Sequence, residues 1–196
     1  VVDQRLAGQR HQPLDHVLAL LPFSHLFGLT VTAAAPLLAG GRVSTVARFH
    51  PAKLLEQLEA SDVTTHVGVP AVYAALLQAL AKRGRRLAAP ALRAAVCGGA
   101  PLPLALQEQF ADYTGIELRQ GYGLTEAGPV CLFNHTERPN RRGSLGLPMP
   151  GVSVRIVDVH DGHELPLGHT GEIVVRGDNV SPGYVRGAND ALPRRN

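Results

Sequence analysis

Only two cysteines, Cys97 and Cys131, occur in the 196 residues. Two thiols so far apart in a chain of this size make no disulfide framework, and a reducing, cytoplasmic setting is the simplest expectation. Long apolar runs are missing too. The longest, residues 26–39, is interrupted by Thr30, Thr32 and Pro36 and falls short of the ~20 apolar residues a membrane-spanning helix needs. No signal-peptide pattern opens the sequence, and there is neither an internal repeat nor a low-complexity tract. Basic residues gather at 82–86, at 138–142 and at Arg194-Arg195, but without the interleaved aromatics of a nucleic-acid reader. These clusters read as solvated surface, and no nucleic-acid partner is expected. A net charge of +3 still suits anionic small molecules.

What remains is an ordinary globular composition, 45% hydrophobic and 18% charged, with 21 glycines and 15 prolines that imply many short elements and tight turns. Two textures meet near residue 135. Before it, apolar runs at 17–21, 63–67, 94–97 and 116–118 resemble strands buried on both faces. Helical patterns separate them. Pro51 suits a first helical position, with Leu54, Leu55 and Leu58 on one face. Val72, Tyr73, Leu76, Leu77 and Leu80 form a second apolar stripe. Leu106, Phe110 and Tyr113 form a third, closed by Gly115 as a cap. This alternation predicts an α/β fold, with a parallel-sheet βαβ subdomain over residues 1–135 and helices on both faces. Afterwards Val152, Val154 and Ile156 alternate with polar residues, Asp161-Gly162 offers a turn, and 173–175 gives another strand. A small antiparallel β-rich subdomain over 136–196 follows from that pattern.

Two glycine loops are placed where chemistry could sit. Gly98-Gly99-Ala100-Pro101 follows the run at 94–97 and opens the helix containing Leu106. Gly121-Tyr122-Gly123-Leu124-Thr125-Glu126 follows a strand ending at Gln120. Both lie at carboxyl ends of strands, the ligand-binding edge of an open parallel sheet. Glycine there admits a flat ring or a phosphate against the backbone. Tyr122 could stack on a base, Thr125 could donate its hydroxyl to a phosphate oxygen, and Glu126 offers the hard oxygen that Mg²⁺ prefers. On spacing alone, ordinary strand-to-helix turns explain the two loops equally well.

The wording of the motifs is more specific. Gly121-Tyr122-Gly123-Leu124-Thr125-Glu126 resembles the signature of the adenylate-forming enzymes, the superfamily of acyl-CoA synthetases, luciferases and peptide-synthetase adenylation domains. Gly98-Gly99-Ala100-Pro101 is similar to its adenine loop. Leu21-Pro22-Phe23-Ser24-His25-Leu26-Phe27-Gly28 is similar to the acyl-pocket segment of the acyl-CoA ligases. Gly143-Ser144-Leu145-Gly146-Leu147-Pro148 and Gly171-Glu172-Ile173-Val174-Val175-Arg176-Gly177 match further stretches in order, so the resemblance spans about residues 14–186. Fatty acyl-CoA ligases are the nearest in wording.

That resemblance implies ATP or AMP, Mg²⁺ and coenzyme A as ligands and a carboxylic acid, expected to be a fatty acid, as substrate. Gly98, Gly99, Ala100 and Pro101 would line the adenine and Tyr122 would stack on it, within a nucleotide-binding set that also includes Gln120, Gly121, Gly123 and Leu124. Thr125 would meet the α-phosphate, Glu126 would hold the metal, and His25 would border the acyl pocket. A carrier-protein thiol in place of coenzyme A, and a non-catalytic nucleotide-binding remnant, stay open as alternatives.

Three parts of the family pattern have no match. The phosphate loop would lie upstream of residue 1. The ribose aspartate would follow Gly183-Tyr184, where Asp178 comes too early and Asp190 does not fit. The adenylation lysine of a small C-terminal domain has no stand-in, because Lys53 and Lys82 are the only lysines and belong to mid-chain helices. The sequence therefore reads as an internal piece of the N-terminal domain without its flanking regions. Alone it is expected to be inactive, and its uncovered sheet edges favour self-association.

The remaining candidates have plainer readings. His160, Asp161, His163, Glu164 and His169 read as an exposed hairpin rather than a zinc site. Cys97 reads as a core residue and His66 as packed within the sheet. His11 and His16 carry no signal.

Overall fold

Residues 15–184 are described by the computed structural model. Four short strands, β1 (His16–Ala19), β2 (Arg42–Thr45), β3 (Thr65–Gly68) and β4 (Ala94–Cys97), precede β5 (Leu118–Tyr122). All five run parallel, in the order β2-β1-β3-β4-β5. Two-residue strands β6 (Leu132–Phe133) and β7 (Leu147–Pro148) then extend the sheet antiparallel. Every residue of β1, β3 and β4 is buried, as befits strands covered on both faces, although His16, Thr65 and His66 are polar. β2 was not legible beforehand: as an edge strand it is largely exposed, and Arg-Val-Ser-Thr has no apolar run.

The chain passes from β1 to β2 through a helical segment whose central turns, Gly28–Ala34, are π-helical and whose end is α1 (Ala35–Leu38). It returns through α2 (Pro51–Ala60) to β3, on the other side of β1. α3 (Pro70–Arg83) and α4 (Leu104–Thr114) make the crossovers to β4 and β5. Winding thus reverses at β1. The helices sort accordingly, because successive strand residues point to opposite faces. Leu18, Ala95, Cys97 and Leu118 pack with Leu54, Tyr73, Leu76 and Phe110 of the three later helices. Val67 and Val96 pack on the opposite side with Phe27, Val31, Val130, Phe133 and Met149. Helices on both faces were expected, and both faces are covered.

Pro51 and Pro70 occupy first-turn positions, and Gly84 and Gly115 end their helices with φ of 65° and 73°. The third stripe differs from its reading. Phe110 is buried and Leu106 partly so, but Tyr113 is exposed and Gln107 is fully buried in its place. The Gln107 amide donates to the Leu118 carbonyl at 3.0 Å and accepts from Gly143 N at 2.8 Å. A polar residue with both ends satisfied can sit in a core, which an apolar-stripe reading cannot detect.

Charged residues work harder than solvated surface would. Arg83 and Arg85 both pair with Glu59, at 3.2 and 2.8 Å, joining α3 to α2. His16 is buried, with Nδ1 2.7 Å from Asp62 Oδ1 and Nε2 2.7 Å from Ser44 Oγ. It ties β1 to β2 and to the approach to β3, a role its sequence neighbourhood does not advertise. Arg194-Arg195 and His11 lie outside the described residues.

The change of texture near 135 precedes the end of the large sheet, since β7 still pairs with β6. A separate antiparallel pair, β8 (Val152–Val157) and β9 (Glu172–Gly177), follows. Its connection makes a tight turn over 158–163, with Asp158 N bonded to the His163 carbonyl at 2.9 Å, where Asp161-Gly162 predicted one.

Candidate functional site

In the parallel register Ala19 lies beside Val67, Gly68 beside Cys97, and Cys97 beside Gln120. The segments leaving β1, β3 and β4, and the upper end of β5, therefore emerge along one edge of the sheet. The edge includes the point where winding reverses, which is where open α/β sheets offer a crevice.

Closure of this edge depends on Gly98. Its N–H donates to the Gly68 carbonyl at 3.2 Å. A Cβ on it would stand 3.1 Å from the Gly121 carbonyl oxygen and 3.1 Å from Phe27 Cζ. The two glycine motifs and the segment after β1 thus meet at one residue without a side chain. Phe27 belongs to a motif singled out in the sequence, yet its own part, a buried ring against Gly98, was not. Gly99, Ala100 and Pro101 follow on the surface, and α4 starts at Leu104, after Pro103, rather than at Pro101.

The second motif is not wholly a loop. Gly121 and Tyr122 are still in β5, paired with Phe133 and Leu132 of β6; antiparallel pairing with β6 carries the strand past Gln120. Gln120 is buried, Tyr122 is half-buried, and Gly123 and Leu124 lead the chain out. A 3₁₀ turn, Thr125–Ala127, presents the Thr125 and Glu126 side chains to solvent. His25 stands exposed on the turn after β1, its Nδ1 accepting from Phe27 N at 3.1 Å.

Glu126 has partners that the sequence did not reveal. Its Oε1 accepts from the Tyr184 hydroxyl at 2.7 Å, and its carbonyl accepts from Ser181 N at 2.6 Å. The phenol hydrogen bond holds the carboxyl below the usual carboxylate range and, reciprocally, raises Tyr184. Glu126 is accordingly ionised at neutral pH. A magnesium ion is commonly held by one or two carboxylates plus substrate phosphates, and an exposed, ionised Glu126 beside the Thr125 hydroxyl fits that donor set. Among the described residues no group of three or more His, Cys, Asp or Glu could hold a metal, so the ion would rest on Glu126 and on nucleotide oxygens.

Other titratable groups stay out of the chemistry. Burial pushes the Cys97 thiol up to about 12, which leaves it protonated and unreactive. The Cys131 thiol is also raised by burial and donates to the Ala127 carbonyl at 3.3 Å. His66 is fully buried, edge-on to Tyr73 with ring centroids 5.5 Å apart. Neither of its ring nitrogens has a partner in hydrogen-bonding geometry. Desolvation pushes it down to about 4, against an opposing influence of the Leu18 backbone. His160, His163 and His169 are exposed on the β8–β9 connection, as expected. Asp178 is exposed just beyond β9, and Lys53 and Lys82 lie on α2 and α3; Asp190 is outside the described residues. An open concavity of about 600 Å³ lies on the β8–β9 pair, lined by Arg155, Glu172, Val174 and Arg176 among others. It includes none of the strand-end residues, so the chemistry of the strand ends, not the size of a hollow, locates the site. No helix among the described residues is long and apolar enough to cross a membrane.

Comparison with known proteins identifies the family and the fold. The model of a family described as AMP-binding enzyme matches residues 2–185. A feruloyl-CoA synthase of Amycolatopsis sp is 36% identical over 87% of the chain, and a long-chain-fatty-acid–CoA ligase of Yersinia pestis is 37% identical over 87%. The chain spans about a third of these relatives, 34% and 30% of their lengths. The crystal structure of ATP-bound MatB from Rhodopseudomonas palustris superposes with a TM-score of 0.85 at 32% identity, covering 95% of this chain and 36% of that one. By a match that runs through nearly all of its residues, this chain belongs to the AMP-binding enzyme family, within the adenylate-forming acyl-CoA ligases.

Proposed function

We propose that this chain supplies one wall of the nucleotide cleft in an AMP-forming ligase that joins a carboxylic acid to the thiol of coenzyme A. The observation that carries the reading is the meeting of both glycine motifs at Gly98, with Thr125 and Glu126 exposed together just beyond. In the reaction, a carboxylate oxygen of the acid attacks the α-phosphorus of ATP, pyrophosphate leaves, and the thiol then displaces AMP from the acyl-adenylate. The residues 98–101 and the half-buried Tyr122 bind the adenine, one by backbone approach and the other by its ring face. Thr125 donates its hydroxyl to the α-phosphate, and Glu126 would hold magnesium, which when bound would supply charge neutralisation of the phosphates. Positioning and fixed charge carry most of such a step, because little covalent chemistry falls to the protein.

The acid is proposed to be a fatty acid. Phe23 and Leu29, each over 40% exposed, flank His25 on the segment after β1 and would give the acyl chain an apolar border. The similarity to a long-chain-fatty-acid–CoA ligase supports this, and that to a feruloyl-CoA synthase favours an aromatic acid as the second reading. Catalysis of the whole reaction is proposed for the full-length protein carrying this chain.

Pyrophosphate exchange tests the assignment. Glu126→Gln should lower it by about 10²-fold or more and raise the magnesium requirement, and Thr125→Ala should lower it comparably. Exchange rates within about twofold of the parent for both variants would overturn the roles, since a lost transition-state contact of this kind costs far more.

A further inference from the structure

The segment leaving β9 is bound to the Thr125–Ala127 turn at three points. Ser181 N donates to the Glu126 carbonyl at 2.6 Å, the Asn179 side-chain amide donates to the Ala127 carbonyl, and the Tyr184 hydroxyl donates to Glu126 Oε1 at 2.7 Å. Two of these contacts hold backbone and would serve to dock any segment. The third differs, because it takes hold of a functional side chain. Gly183 makes it geometrically feasible. With φ of 122° and its N–H bonded to Ser181 Oγ at 3.2 Å, it turns the chain so that Tyr184 comes back over the loop. Tyr184 is 68% exposed, so apolar burial does not account for its position; its hydroxyl contact does.

We propose that Tyr184 is a positioning residue for Glu126, holding Oε1 by its hydroxyl so that Oε2 is presented to a metal ion on the nucleotide. The inference rests on the proposed metal role of Glu126. A glutamate on an exposed one-turn helix has free rotation about its side-chain bonds, and fixing it beforehand removes that loss from the binding step. Carboxylate ligands are commonly steadied in this way by a hydrogen-bond donor on the oxygen the metal does not use. The arrangement also couples two distant parts of the chain: β9 must be in place for the Glu126 side chain to be aimed.

Manganese binding, read by electron paramagnetic resonance with a non-hydrolysable ATP analogue in the full-length protein, tests this apart from turnover. Tyr184→Phe should weaken Mn²⁺ by about tenfold, the scale on which loss of such a partner acts. Asn179→Ala loosens the same segment but leaves the hydroxyl, and it should stay within about twofold of the parent if orientation, rather than docking, is what counts. In a Glu126→Gln background the further effect of Tyr184→Phe should fall below about twofold, because the two residues act as one unit. Unchanged or tighter Mn²⁺ binding in Tyr184→Phe overturns the proposal, as does an equal loss in Asn179→Ala. If Glu126→Gln itself leaves Mn²⁺ affinity unchanged, the metal reading of Glu126 falls, and the proposal with it. If Glu126→Gln weakens the metal and Tyr184→Phe does not, only the positioning role is lost.

Discussion

Replacing Gly98 by alanine should do more damage than its single methyl group suggests. The new Cβ would stand 3.1 Å from the Gly121 carbonyl oxygen and 3.1 Å from Phe27 Cζ, a few tenths of an ångström inside ordinary contact. Phe27 can yield only against Val31, Val67 and Val96, which share its cluster. Gly121 can yield only by moving a strand whose next residue up, Tyr122, is paired to Leu132. Overpacking of this kind costs about 1–3 kcal/mol, which lowers the melting temperature of a chain this long by roughly 2–10 °C. The same displacement passes to Tyr122, so affinity for a non-hydrolysable acyl-adenylate analogue should fall by about tenfold. Thermal unfolding and calorimetric titration measure the two effects. A Phe27→Leu background removes the ring contact and leaves the carbonyl contact. It should therefore restore part of the stability and little of the affinity. A Gly98→Ala protein melting within about one degree of the parent and binding the analogue equally well would refute the argument that strand-end closure sets the site. Gly99→Val is a poorer probe of the same loop. Gly99 has φ of +78°, so a side chain there strains the backbone by about 1–2 kcal/mol before any ligand arrives.

Two further predictions concern the sheet behind the site. Tyr73→Phe deletes a buried hydroxyl that reaches the His66 carbonyl at 3.0 Å and the Val96 carbonyl at 2.9 Å, and should cost about 1–3 kcal/mol in denaturant unfolding; a loss below about 0.5 kcal/mol would mean water replaces it. His66 titrates near 4 when folded, against an ordinary 6.5, so the unfolded chain binds the extra proton first and stability falls as pH drops from 6.5 towards 4. The loss should reach about 3 kcal/mol. It should vanish between those pH values in His66→Phe, and an identical decline in that variant would show the sensitivity to lie elsewhere.

The parallel core was legible because strands buried on both faces tend to be apolar, as 17–21 and 94–97 are throughout, whereas 63–67 keeps Val63 and Val67 around Thr64, Thr65 and His66. The three later helices showed themselves through Pro51, the Val72–Leu80 stripe and Gly115. Three kinds of feature did not show. β2 has no apolar run because, at the end of the described sheet, it is largely exposed. Gln107 and His16 satisfy their polar atoms through partners distant in sequence, and nothing local records that. Of the candidate site, the motif wording placed Gly98, Tyr122, Thr125 and Glu126 at strand ends, and the sheet brings those ends together. Tyr184 was legible only as a landmark, because its contact with Glu126 joins residues 58 apart in the chain.

The reversal of winding at β1 also bears on how the polypeptide assembles while it is being synthesised. β1 leads the other described strands out of the ribosome and takes a later-made parallel neighbour on each side, β2 first and β3 afterwards. β2 and β3 add beside β1, then β4 beside β3 and β5 beside β4, so each parallel strand finds its neighbour already made and the sheet can grow outward from β1. A substitution that delays β1, such as a proline at Leu18, should therefore do disproportionate harm to soluble yield, because β2 and β3 would both emerge without the strand they pair with.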